Sequence, residues 1–165
     1  MKTRWVKGMK IRYLVMDVDG TLTDGKIYMG SNGEVCKVFD VKDGHGIARI
    51  ATCNGIVPVI ISSRKSDIVM NRCKELGIDH VHQGCLNKVD SLKQVCSELS
   101  TVAYIGDDLN DLPPMKLIHD NGGVLGCPAD AAKEIKDIVD FISSKNGGDG
   151  AVREFIEWIV RGEKQ

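Results

Sequence analysis

Short apolar runs and segments of helical period take turns along this chain: "IRYLVMDV", then 43–54, "IVPVIIS", 65–76, "HVH", 87–99, "TVAYIGD", 109–119, "GGVLG", 130–136, "DIVDFI" and 151–161. Strand and helix alternating in this way predict an α/β fold of three layers, a parallel sheet with helices on both faces. At 165 residues the chain fits one domain with one core. Boundaries are signalled locally, by Gly55 and Gly77 after helical patterns and by Ser66–Asp67 near a helix start. One segment departs from the alternation: "KIYMGSNGEVCKVF" sets Asn32–Gly33 between two β-rich runs, which predicts a β-hairpin over about 26–39. The one linker-like stretch, "SSKNGGDGA" at 143–151, precedes a last amphipathic helix carrying Phe155, Ile156, Trp158, Ile159 and Val160. No internal repeat interrupts this order.

Composition narrows the partners. A formal net charge of −1 supplies no basic field for nucleic acid and no electrostatic draw to a membrane. No segment reaches the ~18–20 apolar residues of a membrane span. The N-terminal "MKTRWVKGMKIRYLVMDV" starts positive like a leader, but Lys and Arg interrupt its apolar part and no small-residue cleavage site follows. Six cysteines (Cys36, Cys53, Cys73, Cys85, Cys96 and Cys127) lie singly without paired zinc spacing and read as reduced core thiols, so the expected compartment is the cytoplasm.

The chemistry sits where strands end. "YLVMDVDGTLTDG", residues 13–25, closes an apolar run with Asp17, Asp19 and Asp24. Ligands of open parallel sheets bind beyond the carboxyl ends of the strands, and Asp17 and Asp19 occupy that edge. Two carboxylates so close repel unless a cation or proton shares the site, which points to a divalent metal. "AYIGDDLND" ends another strand in Asp107, Asp108 and Asp111, a second acidic cluster suited to complete an oxygen-ligand Mg²⁺ site. "PVIISSR" supplies Ser62, Ser63 and the guanidinium fork of Arg64, and "HQGCLNK" supplies Lys88.

Each element taken singly has a plain structural reading: a turn at "DVDG", dipole-favoured acids at "GDDLND", a solvated Lys88, a turn serine at Ser62. A calcium loop is excluded at "DVDG", because Gly20 stands fourth instead of sixth and follows a strand pattern. Four strand ends carrying acid, hydroxyl, base and acid in order point to phosphate chemistry on a metal. His80 and His82 with nearby Cys85 offer three zinc ligands and no fourth, and read as polar strand residues. Ile47, Ile50 and Ala51 read as core.

These segments, "DVDGT", Ser62 after "VPVII", Lys88 and "GDDLND", resemble the four motifs of the haloacid dehalogenase superfamily of phosphatases over nearly the whole chain. The resemblance implies a Rossmann-like domain in which Asp17 is the nucleophile that forms an aspartyl-phosphate. Asp19 would be the general acid that protonates the leaving oxygen and then activates water. It further implies Mg²⁺ held by Asp17, the main-chain carbonyl of Asp19, and Asp107, with Ser62 and Lys88 on the transferring phosphoryl oxygens. Asp108 would support the metal or Lys88, and Thr21, Ser63, Arg64, Lys65, Asp108, Asn110 and Asp111 would border the substrate. Phosphoryl transfer asks mostly for alignment and charge neutralisation, which this residue set supplies. Many members carry an inserted cap domain. Here the hairpin, one helix and one strand use up the 45 positions from Asp17 to Ser62, and a helix and a short strand use up the 26 from Ser62 to Lys88, so no cap fits.

Among capless members, "FDVKDGHGI", "SSRKS", "GDDLNDLPPM" and "SKNGGDGAVREFIEWI" resemble the family of 3-deoxy-D-manno-octulosonate 8-phosphate phosphatases, which are homotetramers. The resemblance implies a sugar-acid phosphate substrate in bacterial surface-sugar biosynthesis, with Arg64 and Lys65 meeting its carboxylate. It also implies assembly through the hairpin, and a Gly-rich tail (Gly147, Gly148, Gly150) near an adjacent subunit's site. One departure is that Ser62-Ser63-Arg64 stands where the family usually has Thr-Gly-Arg. Related capless enzymes act on 2-keto-3-deoxynononate 9-phosphate in sialic-acid pathways, and a similar domain is fused to some acylneuraminate cytidylyltransferases. Those two alternatives stay open: a nine-carbon substrate, or a non-catalytic oligomerisation module, which has no need of Asp17 and Asp19.

Overall fold

The alternation of the sequence becomes a six-stranded sheet in the computed structural model, which describes residues 10–162. The stretch weighed as a leader lies, through residue 9, outside the described residues. Strands β1 (Tyr13–Met16), β4 (Val57–Ile61), β5 (His80–His82), β6 (Val102–Ile105), β7 (Val124–Cys127) and β8 (Phe141–Ile142) run in the order β5-β4-β1-β6-β7-β8, each pair parallel. Strands β2 (Tyr28–Gly30) and β3 (Gly33–Cys36) pair antiparallel apart from the sheet, as the Asn32–Gly33 signal predicts. The helices are α1 (Val41–His45), α2 (Asp67–Leu76), α3 (Lys88–Val95), α4 (Leu112–Asp120), α5 (Lys133–Lys136) and α6 (Ala151–Arg161). Only the hairpin, α1 and its continuation lie between β1 and β4, so the expectation of a capless Rossmann-like α/β fold holds.

Strand side chains point alternately to two faces, and both faces here are buried. Leu14, Met16, Ile60, Ala103, Ile105 and Val124 join one cluster with α2 and α6, whereas Val15, Val59, Ile61, Tyr104 and Leu125 join the other with α3, α4 and α5. This double burial is why the strands read as continuous apolar runs. Register then fixes the site, because Met16 lies beside both Ile60 and Ile105. The residues that follow, Asp17, Ser62, and Gly106 with Asp107, therefore leave the sheet at one edge.

Two expectations need correction. The helix expected over 43–54 starts as α1 but widens into a π-helical stretch over Gly46–Ala51, where Gly46 lets α6 approach: a Cβ there would fall 2.9 Å from Arg153 Cδ. Cys36 and Cys53 are exposed, so the expectation of six core thiols does not hold for them. The Gly-rich segment lies on the 20–24 loop of its own chain. Gly148 N–H donates to the carbonyl of Thr21 at 3.1 Å, and a Cβ on Gly147 would fall 1.8 Å from the carbonyl oxygen of Gly20. These glycines are the only residue type that lets 146–150 lie on the 20–24 loop of its own chain. Beyond them α6 completes the core, with Phe155 on Gly126 and ring centroids 5.1 Å (Phe141–Trp158) and 5.7 Å (Phe141–Phe155) apart. Each such ring buried contributes about 2–3 kcal/mol, so this segment is structural.

Asp43 ties α1 to α6. It is buried, its Oδ1 accepts the Arg153 N–H at 2.7 Å, and its Oδ2 is buried without a partner. Burial pushes its carboxyl up to about 6, helped by Asp40 and opposed by the Arg153 N–H. A folded carboxyl raised above its unfolded value contributes stability that is fully present below about pH 4 and lost as pH rises through about 6. We expect Asp43 to account for roughly 2–3 kcal/mol of stability lost between pH 4 and pH 7. Urea unfolding of wild type and Asp43→Asn across that range checks it: the two curves should lie close near pH 4 and separate toward neutral pH as wild type loses stability, and parallel curves would refute the assignment.

Candidate active site

Asp17, the first residue past β1, is buried among elements that are all apolar up to that point. Lys88, the first residue of α3, turns its side chain inward, where Nζ donates to Asp17 Oδ1 and to Asp111 Oδ1, both at 2.7 Å. Asn87 secures the start of that helix, its Oδ1 accepting the Val89 N–H at 3.0 Å. Asp111 is held on every side. Its Oδ1 also accepts from Tyr104 Oη at 2.7 Å, and its Oδ2 accepts the Asp107 N–H at 3.1 Å.

Gly20 allows Asp107 to come in. Its φ of +94° and a Cβ position 2.1 Å from Asp107 Oδ2 exclude any side chain there. Thr21 Oγ1 then donates to Asp107 Oδ1 at 2.9 Å. Carboxylate oxygens of Asp17, Asp107 and Asp111 lie within 4.8 Å of one another. Burial raises the Asp17 carboxyl well above its usual range, and Asp111 adds to this against the pull of Lys88. Burial likewise lifts Asp107 to about 6, again with Asp111 contributing. Burial would lower the Lys88 ammonium, but Asp17 and Asp111 outweigh it and raise it.

Three carboxylates against one buried ammonium leave an excess of negative charge in oxygen donors, which suits a hard divalent cation. Asp111 spends both oxygens on Lys88, Tyr104 and backbone N–H groups, so Asp17 and Asp107 are the carboxylates free to hold one.

The expected residues sort into three positions. Asp17, Lys88, Asp107 and buried Ser62 gather at the sheet edge. Ser63, Arg64, Lys65, Asp108 and Asn110 are exposed at the rim, where Asn110 Nδ2 donates to Ser63 Oγ at 3.3 Å. Thr21 and Asp111, expected to border substrate, are both fully buried and serve instead to hold Asp107 and Lys88. Asp24 leaves the site altogether, its Oδ2 accepting from Tyr28 Oη at 2.9 Å at the hairpin's foot. Among the described residues His80, His82 and Cys85 form no metal-ligating group. Sequence reasoning missed Lys37 and Glu34. Lys37 Nζ, almost fully buried, donates to Asp19 Oδ1 and lies 2.9 Å from Glu34 Oε1. Both stood in a hairpin read only as β structure, and the one signal was a pair of charges three residues apart in an otherwise apolar stretch.

The chain is 42% identical over 158 residues to a protein of Escherichia coli strain K12 named 3-deoxy-D-manno-octulosonate 8-phosphate phosphatase KdsC, covering 93% of this chain and 81% of that one. It belongs to the KdsC family of phosphatases. No family model matches the chain. A Moraxella catarrhalis 3-deoxy-D-manno-octulosonate 8-phosphate phosphatase, solved in complex with magnesium, phosphate and KDO, superposes with a TM-score of 0.85 at 38% identity, covering 95% of this chain and 90% of that one. A Legionella pneumophila structure described as a haloacid dehalogenase superfamily (subfamily III A) hydrolase superposes equally, TM-score 0.85, at 32% identity over 94% of this chain and 85% of that one. The family and fold read from the four motifs are thus shown.

Lys88 also holds the cluster together. Removing it leaves Asp17 and Asp111 buried against each other without a counter-charge. We expect Lys88→Met to lower stability by about 3–5 kcal/mol at neutral pH in urea unfolding without added metal. The deficit should shrink toward pH 5 as one carboxyl takes a proton. A neutral-pH loss under about 1 kcal/mol would show that the triad is not a structural ion cluster.

Proposed function

We propose that this protein is a Mg²⁺-dependent phosphatase that hydrolyses 3-deoxy-D-manno-octulosonate 8-phosphate through an aspartyl-phosphate on Asp17. The observation that carries the reading is the buried Asp17–Lys88–Asp111 cluster beside Asp107, in a chain similar to phosphatases so named.

Asp17 Oδ1 is occupied by Lys88, so Oδ2 is the oxygen that attacks phosphorus. The bond from phosphorus to the sugar oxygen breaks as the new bond forms, and Asp19 gives that oxygen its proton. Asp19 then takes a proton from the water that hydrolyses the acyl phosphate, which restores Asp17. Lys88 and Ser62 neutralise and orient the phosphoryl oxygens. Asp17, the Asp19 carbonyl and Asp107 would hold Mg²⁺, which supplies the charge that lets Asp17 stay ionised beside a phosphate dianion. Exposed Arg64 and Lys65 at the rim suit a sugar-acid carboxylate. Ser63, exposed at the rim where the family resemblance implies glycine, keeps the nine-carbon substrate as the second reading, because a side chain there alters the room for the sugar.

The same reading includes assembly. Met29 is 64% exposed, Val35 63% and Val38 54%, a concentration of apolar side chains on the hairpin that suits contact between copies in a homotetramer. Six free thiols suit the cytoplasm, and among the described residues no helix is long and apolar enough to cross a membrane.

Mg²⁺-dependent phosphate release from the eight-carbon and nine-carbon phosphates tests the activity. We expect higher kcat/KM for the eight-carbon compound and background release by Asp17→Asn. The reverse preference would assign the nine-carbon reading, and no release from either would leave the oligomerisation module. Light scattering tests the assembly: Val35→Glu should reduce a tetramer to smaller species, and a wild-type monomer would end that part of the proposal.

A further inference from the structure

Asp19 is gripped by Lys37, a side chain outside the four motifs. Lys37 Nζ, on a side chain only 1% exposed, donates to Asp19 Oδ1 and lies 2.9 Å from Glu34 Oε1. Glu34 is anchored in turn, its Oε2 accepting from Ser66 Oγ at 2.6 Å. Arg64 Nε stands 3.8 Å from the other oxygen of Asp19, Oδ2.

A lysine this deeply buried sacrifices its hydration and persists only where carboxylates replace the lost water. A solvated hairpin lysine would need neither partner. The grip is also selective, for it fixes one oxygen of a group that could otherwise rotate and leaves Oδ2 toward the rim where Arg64 lies. We infer that Lys37 is the positioning residue of the proton donor: it holds Asp19 by Oδ1 so that Oδ2 carries the proton to the departing alcohol. The inference rests on Asp19 being the general acid proposed above. Lys37 touches no reacting atom, so its effect runs entirely through Asp19 and depends on how much proton the leaving group needs.

Aryl phosphates make that dependence measurable without the sugar's carboxylate. Phenolate requires a proton to leave well, since phenols ionise near pH ~10. The p-nitrophenolate anion leaves without one. The ratio kcat/KM covers steps only through departure of the alcohol, so later hydrolysis of the acyl phosphate does not enter.

We expect Lys37→Met to lower kcat/KM for phenyl phosphate by about 10-fold or more, a share of the ~10²–10⁴ that a general acid supplies, and for p-nitrophenyl phosphate by less than about 3-fold. Asp19→Asn should show the same split, larger, and adding Lys37→Met to it should change neither value by more than about 3-fold. Glu34→Gln, which releases Lys37 on its other side, should give a smaller split and serves if Lys37→Met does not fold. Equal losses on both esters in Lys37→Met, or in Glu34→Gln where it stands in, would overturn the inference while Asp19→Asn still splits them. A missing split in Asp19→Asn would instead remove Asp19 as the acid, which is a failure of the underlying reading.

Discussion

The structure turns on the ion cluster of Asp17, Lys88 and Asp111. Burying a lysine between two carboxylates is costly unless every partner is satisfied, and the fold around it is arranged to that end. Tyr104 Oη and the Asp107 N–H complete Asp111, and through Asp111 the loop before α4 is drawn to the end of β6. Lys88 draws the start of α3 toward β1 in the same way. Three connections that would otherwise be independent surface loops are thereby fixed relative to the central strand. The cluster remains short of positive charge, and this shortage suits the site to a cation.

Much of this was legible because two separate physical signals coincide. Apolar runs bounded by turn residues gave the strands, since a parallel sheet buried on both faces tolerates little else. Acids and a lysine at the ends of those runs then had no packing purpose, and the sheet topology brings them to one edge. The hairpin was legible for a local reason, the Asn32–Gly33 turn. What failed was direction. Thr21 and Asp111 have the same polar character as true rim residues, and only the third dimension shows that both point inward to support Asp107 and Lys88. The π-helical widening at Gly46–Ala51 was hidden for a similar reason, because Arg153, the side chain that Gly46 lets approach it, is more than a hundred residues away.

The glycine-rich segment shows how composition can mislead. Gly147, Gly148 and Gly150 have the look of a flexible tether, yet two of the three exist to let backbone lie against backbone at the 20–24 loop. Flexibility in the unfolded chain and close approach in the folded one call for the same residue, and sequence alone does not separate them. The hydrogen bond from Gly147 N–H to Asp130 Oδ1 and that from Gly148 N–H to the Thr21 carbonyl make the segment a brace behind the loop that follows Asp17.

A capless site must find its remaining walls close by, and here the hairpin supplies one. Glu34 and Lys37 reach inward to Asp19 and Arg64, while Met29, Val35 and Val38 of the same segment face outward and are exposed. A two-stranded ribbon has little stability of its own, so its position rests on what each side touches. The inward side is held by ion pairs to the 62–66 loop and to Asp19. Whatever packs on the outward side therefore acts on the same short ribbon that holds Asp19, with only the side chains of residues 34–37 between them.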